Sequence, residues 1–127
     1  MSLIAHKEQR QEPRYDCHFT AQVTHQGEPV PASLVNLSQS GLRLACPQSL
    51  YESLAPDIQF PDRRAKLRLD VEFQLAEGEA PVRVHCSVAY YRRQAQNCYL
   101  LGCHVVRYLD NSDGRIRDTV TRLARGG

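Results

Sequence analysis

Apolar and polar residues alternate along most of the chain. From Cys17 to His25, Cys17, Phe19, Ala21 and Val23 interleave with His18, Thr20, Gln22 and Thr24, the period of two that turns one strand face to a core and the other to water. Gly27-Glu28-Pro29 stops the pattern. Val30 to Leu37 is a second extended segment, and Gly41 to Cys46 a third, with Leu42, Leu44 and Cys46 on one side and Arg43 and Ala45 on the other. The cleanest alternation runs from Ala65 to Leu75, where Leu67, Leu69, Val71, Phe73 and Leu75 interleave with Lys66, Arg68, Asp70, Glu72 and Gln74. Glu77-Gly78-Glu79 then reads as a hairpin turn, Val82 to Tyr91 as the return strand, Gln94 to Asn97 as another turn, and Tyr99 to Val106 as the sixth strand. The stretch from Pro47 to Pro61 holds three prolines and predicts a connector with room for one short helical turn around Ser49 to Leu54.

The period changes near the C-terminal end. Any of Asp110, Asn111 and Ser112 can cap a helix, and beyond them Ile116, Val120 and Leu123 recur at helical spacing until Gly126-Gly127. The pattern therefore predicts an all-β fold, a barrel or sandwich of about six antiparallel strands, closed by a C-terminal α-helix. At 127 residues the chain is too short for two independent cores. The expected division is an N-terminal arm over 1–16, a barrel over 17–109 and a helix of the same domain over 110–127.

Composition excludes several classes of function. No apolar run is long enough to cross a bilayer and the first residues lack the apolar stretch of a secretory signal, so the expected location is cytoplasmic, without membrane insertion. Of the 16 basic residues only Lys7 and Lys66 are lysine; arginine favours planar, bidentate recognition of phosphate, carboxylate or a guanine edge. Residues 28–80 carry a net charge of −3 and residues 81–127 a net +5. The pI of about 8.3 is below that of a typical nucleic-acid-binding domain, so a small anion fits better than a long polyanion. Cys17, Cys46, Cys86, Cys98 and Cys103 form no CxxC pair. Cys103 and His104 are neighbours that face opposite sides of a strand, so buried free thiols are expected in place of a metal site or a disulfide framework. No grouping of Ser, His and Asp, and no metal-binding carboxylate cluster, supports catalysis.

Two elements sit at junctions between strands. Arg10-Gln11-Glu12-Pro13-Arg14 precedes the first strand, and Pro13 holds it out of a helix interior. Its two guanidinium groups can wrap a ligand, offering forked donors to phosphate oxygens or to guanine O6 and N7. Asn36-Leu37-Ser38-Gln39-Ser40-Gly41 joins the second and third strands. Asn36 and Ser38 supply polar groups on one side, and Gly41 permits either a positive φ or close approach of a ligand. Each element alone has an ordinary structural reading, a solvated charged tail for the first and a self-satisfied turn for the second.

Taken in order, they say more. An RxxxR arm, followed 22 residues after Arg14 by an Asn-x-Ser-x-x-Gly turn running into GLRLAC, resembles the PilZ domain family. Six short strands and a C-terminal helix match that family's split-type antiparallel β-barrel with its appended helix, and YLLGCHVV with Gly102 looks like its last strand. The resemblance implies a receptor for cyclic di-GMP, an adaptor whose arm and surface change on binding so as to regulate an effector protein in motility, biofilm or exopolysaccharide output. Arg10 and Arg14 would hold phosphates and guanine edges, while Asn36, Ser38 and Gly41 would line the opposite wall. Arg43, two residues beyond Gly41, and Gln9, just ahead of the arm motif, would join at the edges, and Gln9 bears on whether one ligand or an intercalated pair binds. No cofactor beyond the ligand, no metal, no enzymatic activity and no nucleic acid are expected. Tyr90, Tyr91 and Tyr99 carry rings able to stack on a base, but they flank the last hairpin, where packing is the more common role of a ring. Two alternatives remain open. One is a PilZ-like interaction module without nucleotide, although relatives of that kind generally lack the arginine pair. The other is a single-stranded nucleic-acid-binding barrel, for which 7% aromatic residues and no tryptophan make a poor stacking surface.

Overall fold

A computed structural model describes residues 12–126. Six antiparallel strands, β1 (Tyr15–Thr24), β2 (Val30–Leu37), β3 (Gly41–Pro47), β4 (Leu69–Phe73), β5 (Val82–Ala95) and β6 (Cys98–Tyr108), close into a barrel in the order β1-β2-β3-β6-β5-β4. Closure leaves no unpaired sheet edge. Alternation supplies the interior: Val23, Leu34, Leu37, Leu42, Leu44, Leu69, Val71, Phe73, Val84 and Leu101 are fully buried in one core.

Two bulges adjust the alternation where the candidate residues sit. In β2 the pairing with β3 shifts between Leu34 and Asn36, so Leu34 faces Leu44 and Leu37 faces Leu42 on the core side, while Asn36 faces Arg43 on the outside. Val35 is the extra residue that makes this possible, because strict alternation would place Leu34 and Asn36 on the same face. The matching shift in β1, between Asp16 and Phe19, puts Asp16 opposite Asn36.

The segment between β3 and β4 departs from expectation. The single helical turn expected there is an eleven-residue helix, α1 (Gln48–Ile58), followed by α2 (Pro61–Lys66). Two of the three prolines lie at helix boundaries, Pro47 at the N-cap of α1 and Pro61 at the start of α2, where a missing N–H costs nothing. Only Pro56 is internal. Leu50, Leu54 and Ile58, spaced by four, bury one stripe of α1 in the barrel core, which offsets the hydrogen bond lost at Pro56. Correspondingly the strand expected over Ala65 to Leu75 is confined to Leu69–Phe73, with Ala65 and Lys66 in α2. The alternation there is real but begins at Leu67, the buried residue that caps α2.

The C-terminal helix, α3 (Ser112–Ala124), buries Ser112, Ile116 and Thr119. Of the three expected caps, Asn111 takes the position without a side-chain bond, while Ser112 Oγ accepts the Arg83 N–H at 2.9 Å and ties α3 to β5. The helix stops at Gly126, whose φ of 78° suits glycine and whose N–H reaches the Leu123 carbonyl at 3.0 Å.

Candidate functional site

At the end of the barrel where β1 starts, β2 ends and β3 starts, the bulged strands bring the two junction elements together. Arg14 Nη1 donates to Asn36 Oδ1 at 3.3 Å, and Asn36 Nδ2 donates to Asp16 Oδ1 at 3.2 Å. The Asn36 amide is thus held at both ends, at 5% exposure on the outer face. Asp16 is a partner that the sequence pattern does not single out; it becomes one through register alone.

The turn between β2 and β3 is closed internally. Ser38 N–H donates to the Gly41 carbonyl at 2.9 Å, Gly41 N–H donates to Ser38 Oγ at 3.1 Å, and the Ser38 hydroxyl also lies 3.1 Å from the Gly41 carbonyl. Ser38 is fully buried, so its hydroxyl shapes the turn. Gly41 serves close approach, not a positive φ, since Gly78 and Gly126 are the glycines with positive φ among the described residues. A Cβ there would lie 3.1 Å from Arg14 Nη2 and 3.2 Å from the Cys103 carbonyl. The Arg14 guanidinium rests directly against the glycine.

Glu12, inside the RxxxR segment, fastens that segment to the turn. Its carboxylate accepts the Ser40 hydroxyl at 2.8 Å and the Ser40 N–H at 3.2 Å. Burial alone would raise its pKa, but the Ser38 and Ser40 hydroxyls, the Ser40 backbone and the Arg14 charge together bring it below the usual carboxylate value. The turn is also anchored from behind. Tyr108 Oη donates to the Gln39 carbonyl at 2.7 Å, Val105 N–H to the Ser40 carbonyl at 2.9 Å, and Gln39 Nε2 to the Asp113 carbonyl of α3 at 3.4 Å.

Arg43 stands opposite Asn36 on one side and Gly102 on the other. Its Nε is buried and has no hydrogen-bond partner among the described residues. The expected set is therefore gathered as far as it is described: Arg14, Asn36, Ser38, Gly41 and Arg43 share one end of the barrel. Arg10 and Gln9 lie outside the described residues.

The remaining chemistry is plain. Burial raises the Cys17 thiol to about 11 and the Cys46 and Cys86 thiols to about 12, so they stay protonated at neutral pH. Cys103 is buried and His104 exposed, on opposite faces of β6. No cluster of metal-ligating side chains occurs among the described residues. A cavity of about 420 Å³ lies at the far end of β1, lined by Thr24, His25, Asp57, Arg63, Lys66 and Arg68, away from Arg14 and Asn36.

A family model described as PilZ domain matches residues 8–125. No curated protein sequence matches the chain. Solved structures share the fold. The Bacillus subtilis inhibitor of motility (MotI/DgrA) superposes with a TM-score of 0.69 at 14% identity, over 92% of this chain and 52% of that one. The PilZ domain of YcgR from Escherichia coli, solved with cyclic di-GMP, gives 0.66 at 11% identity over 92% of both chains. PlzA from Borreliella burgdorferi, also in complex with cyclic di-GMP, gives 0.63 at 9% identity over 98% of this chain and 56% of that one. The chain thus spans about half the length of MotI and little more than half of PlzA.

Proposed function

The chain belongs to the PilZ domain family, and from that premise we propose that it is a receptor for cyclic di-GMP, acting as an adaptor that catalyses no reaction. The observation that carries this reading is the convergence of Arg14 on Asn36 and Gly41 from elements 22 residues apart. A guanidinium fork faces a small polar wall with no side chain at Gly41 to block approach. Cyclic di-GMP offers matching chemistry, two phosphates and two purine edges rich in acceptors. The YcgR and PlzA structures, which hold this ligand on the same fold, support the choice.

In this reading Arg14, with Arg10 and Gln9 ahead of it, contacts phosphate and guanine. Asn36 offers its amide to the ligand, Arg43 extends the donors across β3, and Ser38 and Gly41 shape the wall. Binding exchanges the 3.3 Å Arg14–Asn36 bond for ligand contacts, which moves the arm and alters the surface beside it. That altered surface regulates an effector protein, with motility, biofilm or exopolysaccharide as the output.

Calorimetric titration of the full chain with cyclic di-GMP tests it through two substitutions. Arg14→Ala and Arg10→Ala each remove charge-assisted bonds, a loss expected to weaken binding by about tenfold or more. A wild-type chain that gives no heat at tens of micromolar ligand, or an Arg14→Ala chain that binds as well as wild type, overturns the proposal.

A further inference from the structure

The outer face beside the candidate site carries a feature that neither junction motif includes. One row of paired residues crosses five strands: Asp16 to Asn36, Asn36 to Arg43, Arg43 to Gly102, and Gly102 to Tyr90. The Tyr90 ring lies over Gly102 so closely that a Cβ there would collide with its Cε2, Cζ and Cδ2 atoms. An aromatic ring covering a cross-strand glycine is an ordinary device for stabilising a sheet, and it explains the inner face of this ring. It leaves the outer face unexplained. Tyr90 is 39% exposed, one of three large hydrophobic side chains left open to solvent among the described residues.

Between the ring and Asn36 stands Arg43, whose Nε is shielded from water without a partner among the described residues. A buried donor left unmade is costly, and a ligand acceptor that meets it as the Arg43 side chain turns outward would offset that cost. The row from Asn36 to Gly102 crosses two strand spacings, roughly 10 Å, a span that one dinucleotide covers. An open aromatic face, an unused arginine donor and the amide of Asn36 thus lie in line.

We propose that Tyr90 is a stacking platform, the far end of a site that runs from Arg14 across Arg43 to β5 and takes a purine base flat against the exposed ring face. This rests on the cyclic di-GMP reading and adds to it a residue and the contact that residue makes. A π-face recognises a base whatever its edge pattern, while Arg43 Nε supplies the adjoining donor. Gly102 is the enabling residue, since any side chain there would push the ring off the sheet.

The chain has no tryptophan, so Tyr90→Trp places a single indole reporter on the platform. Its emission is expected to be quenched on titration with cyclic di-GMP, saturating at the affinity that calorimetry measures for the same variant. Tyr90→Phe keeps the ring and is expected to bind within about twofold of wild type. Tyr90→Leu keeps apolar cover over Gly102 without a π-face and is expected to bind at least about fivefold more weakly. A purely structural ring would lower the thermal midpoint of Tyr90→Leu and leave its affinity unchanged. The platform is overturned if Tyr90→Leu binds like wild type, or if Tyr90→Trp binds ligand by calorimetry with no change in emission. Absence of binding by the wild-type chain overturns the receptor reading and the platform together.

Discussion

Glu12 does more in the folded chain than offset the arginines on either side of it. Its carboxylate is the link between the arm segment and the β2–β3 turn, through both the hydroxyl and the N–H of Ser40. Because the folded pKa lies below the ordinary 4.5, the contact is fully present above that value and is lost as pH falls through the lower folded value. The Ser40 amide resonance is therefore expected to titrate with a midpoint below 4.5 in the wild-type chain and to stay flat in Glu12→Gln. A midpoint at or above 4.5 in the wild type would show that the contact does not form in solution. Asn36, Ser38 and Gly41 are legible in sequence because they belong to one short turn. Glu12 and Asp16 are not, because each acquires its role from a partner that chain folding supplies, Ser40 and Asn36 respectively; Tyr90 is legible as a ring able to stack, but its place over Gly102 comes from register alone.

Among the elements, α1 shows how composition conceals a helix. Prolines at Pro47, Pro56 and Pro61 suggest a broken connector, yet the apolar residues Leu50, Leu54 and Ile58 keep a spacing of four and join the buried core of the barrel. Tertiary burial outweighs local propensity here. Leu54 is fully buried, and Leu54→Ala is expected to cost about 2–5 kcal/mol in urea denaturation through lost burial and the cavity left behind. A loss well under 1 kcal/mol would mean that α1 does not close the core. The strands were readable from alternation wherever one face is buried. The bulges at Asp16/Phe19 and Leu34/Asn36 were not, since an extra residue is visible only once partner strands are in register.

For the whole molecule, the barrel joins the candidate turn to both the last strand and the C-terminal helix, through Tyr108 to Gln39 and Gln39 to Asp113. A ligand that rearranges this turn therefore acts on a connected assembly. Part of the net +5 of residues 81–127 is spread over the exterior of the C-terminal helix: Arg117 and Arg122 lie exposed on α3 and Arg125 just past its end, and Arg115 bonds the Pro81 carbonyl and Glu79. Location at the Arg14 end of the barrel is the central claim, and backbone-amide NMR titration of the full chain with cyclic di-GMP tests it most directly. The account predicts saturable shifts gathered at Arg14, Asn36, Ser40, Gly41, Arg43 and Gly102, with Thr24, Arg63 and Arg68 at the opposite cavity unmoved. No saturable shift, or shifts centred on that opposite cavity, would contradict it.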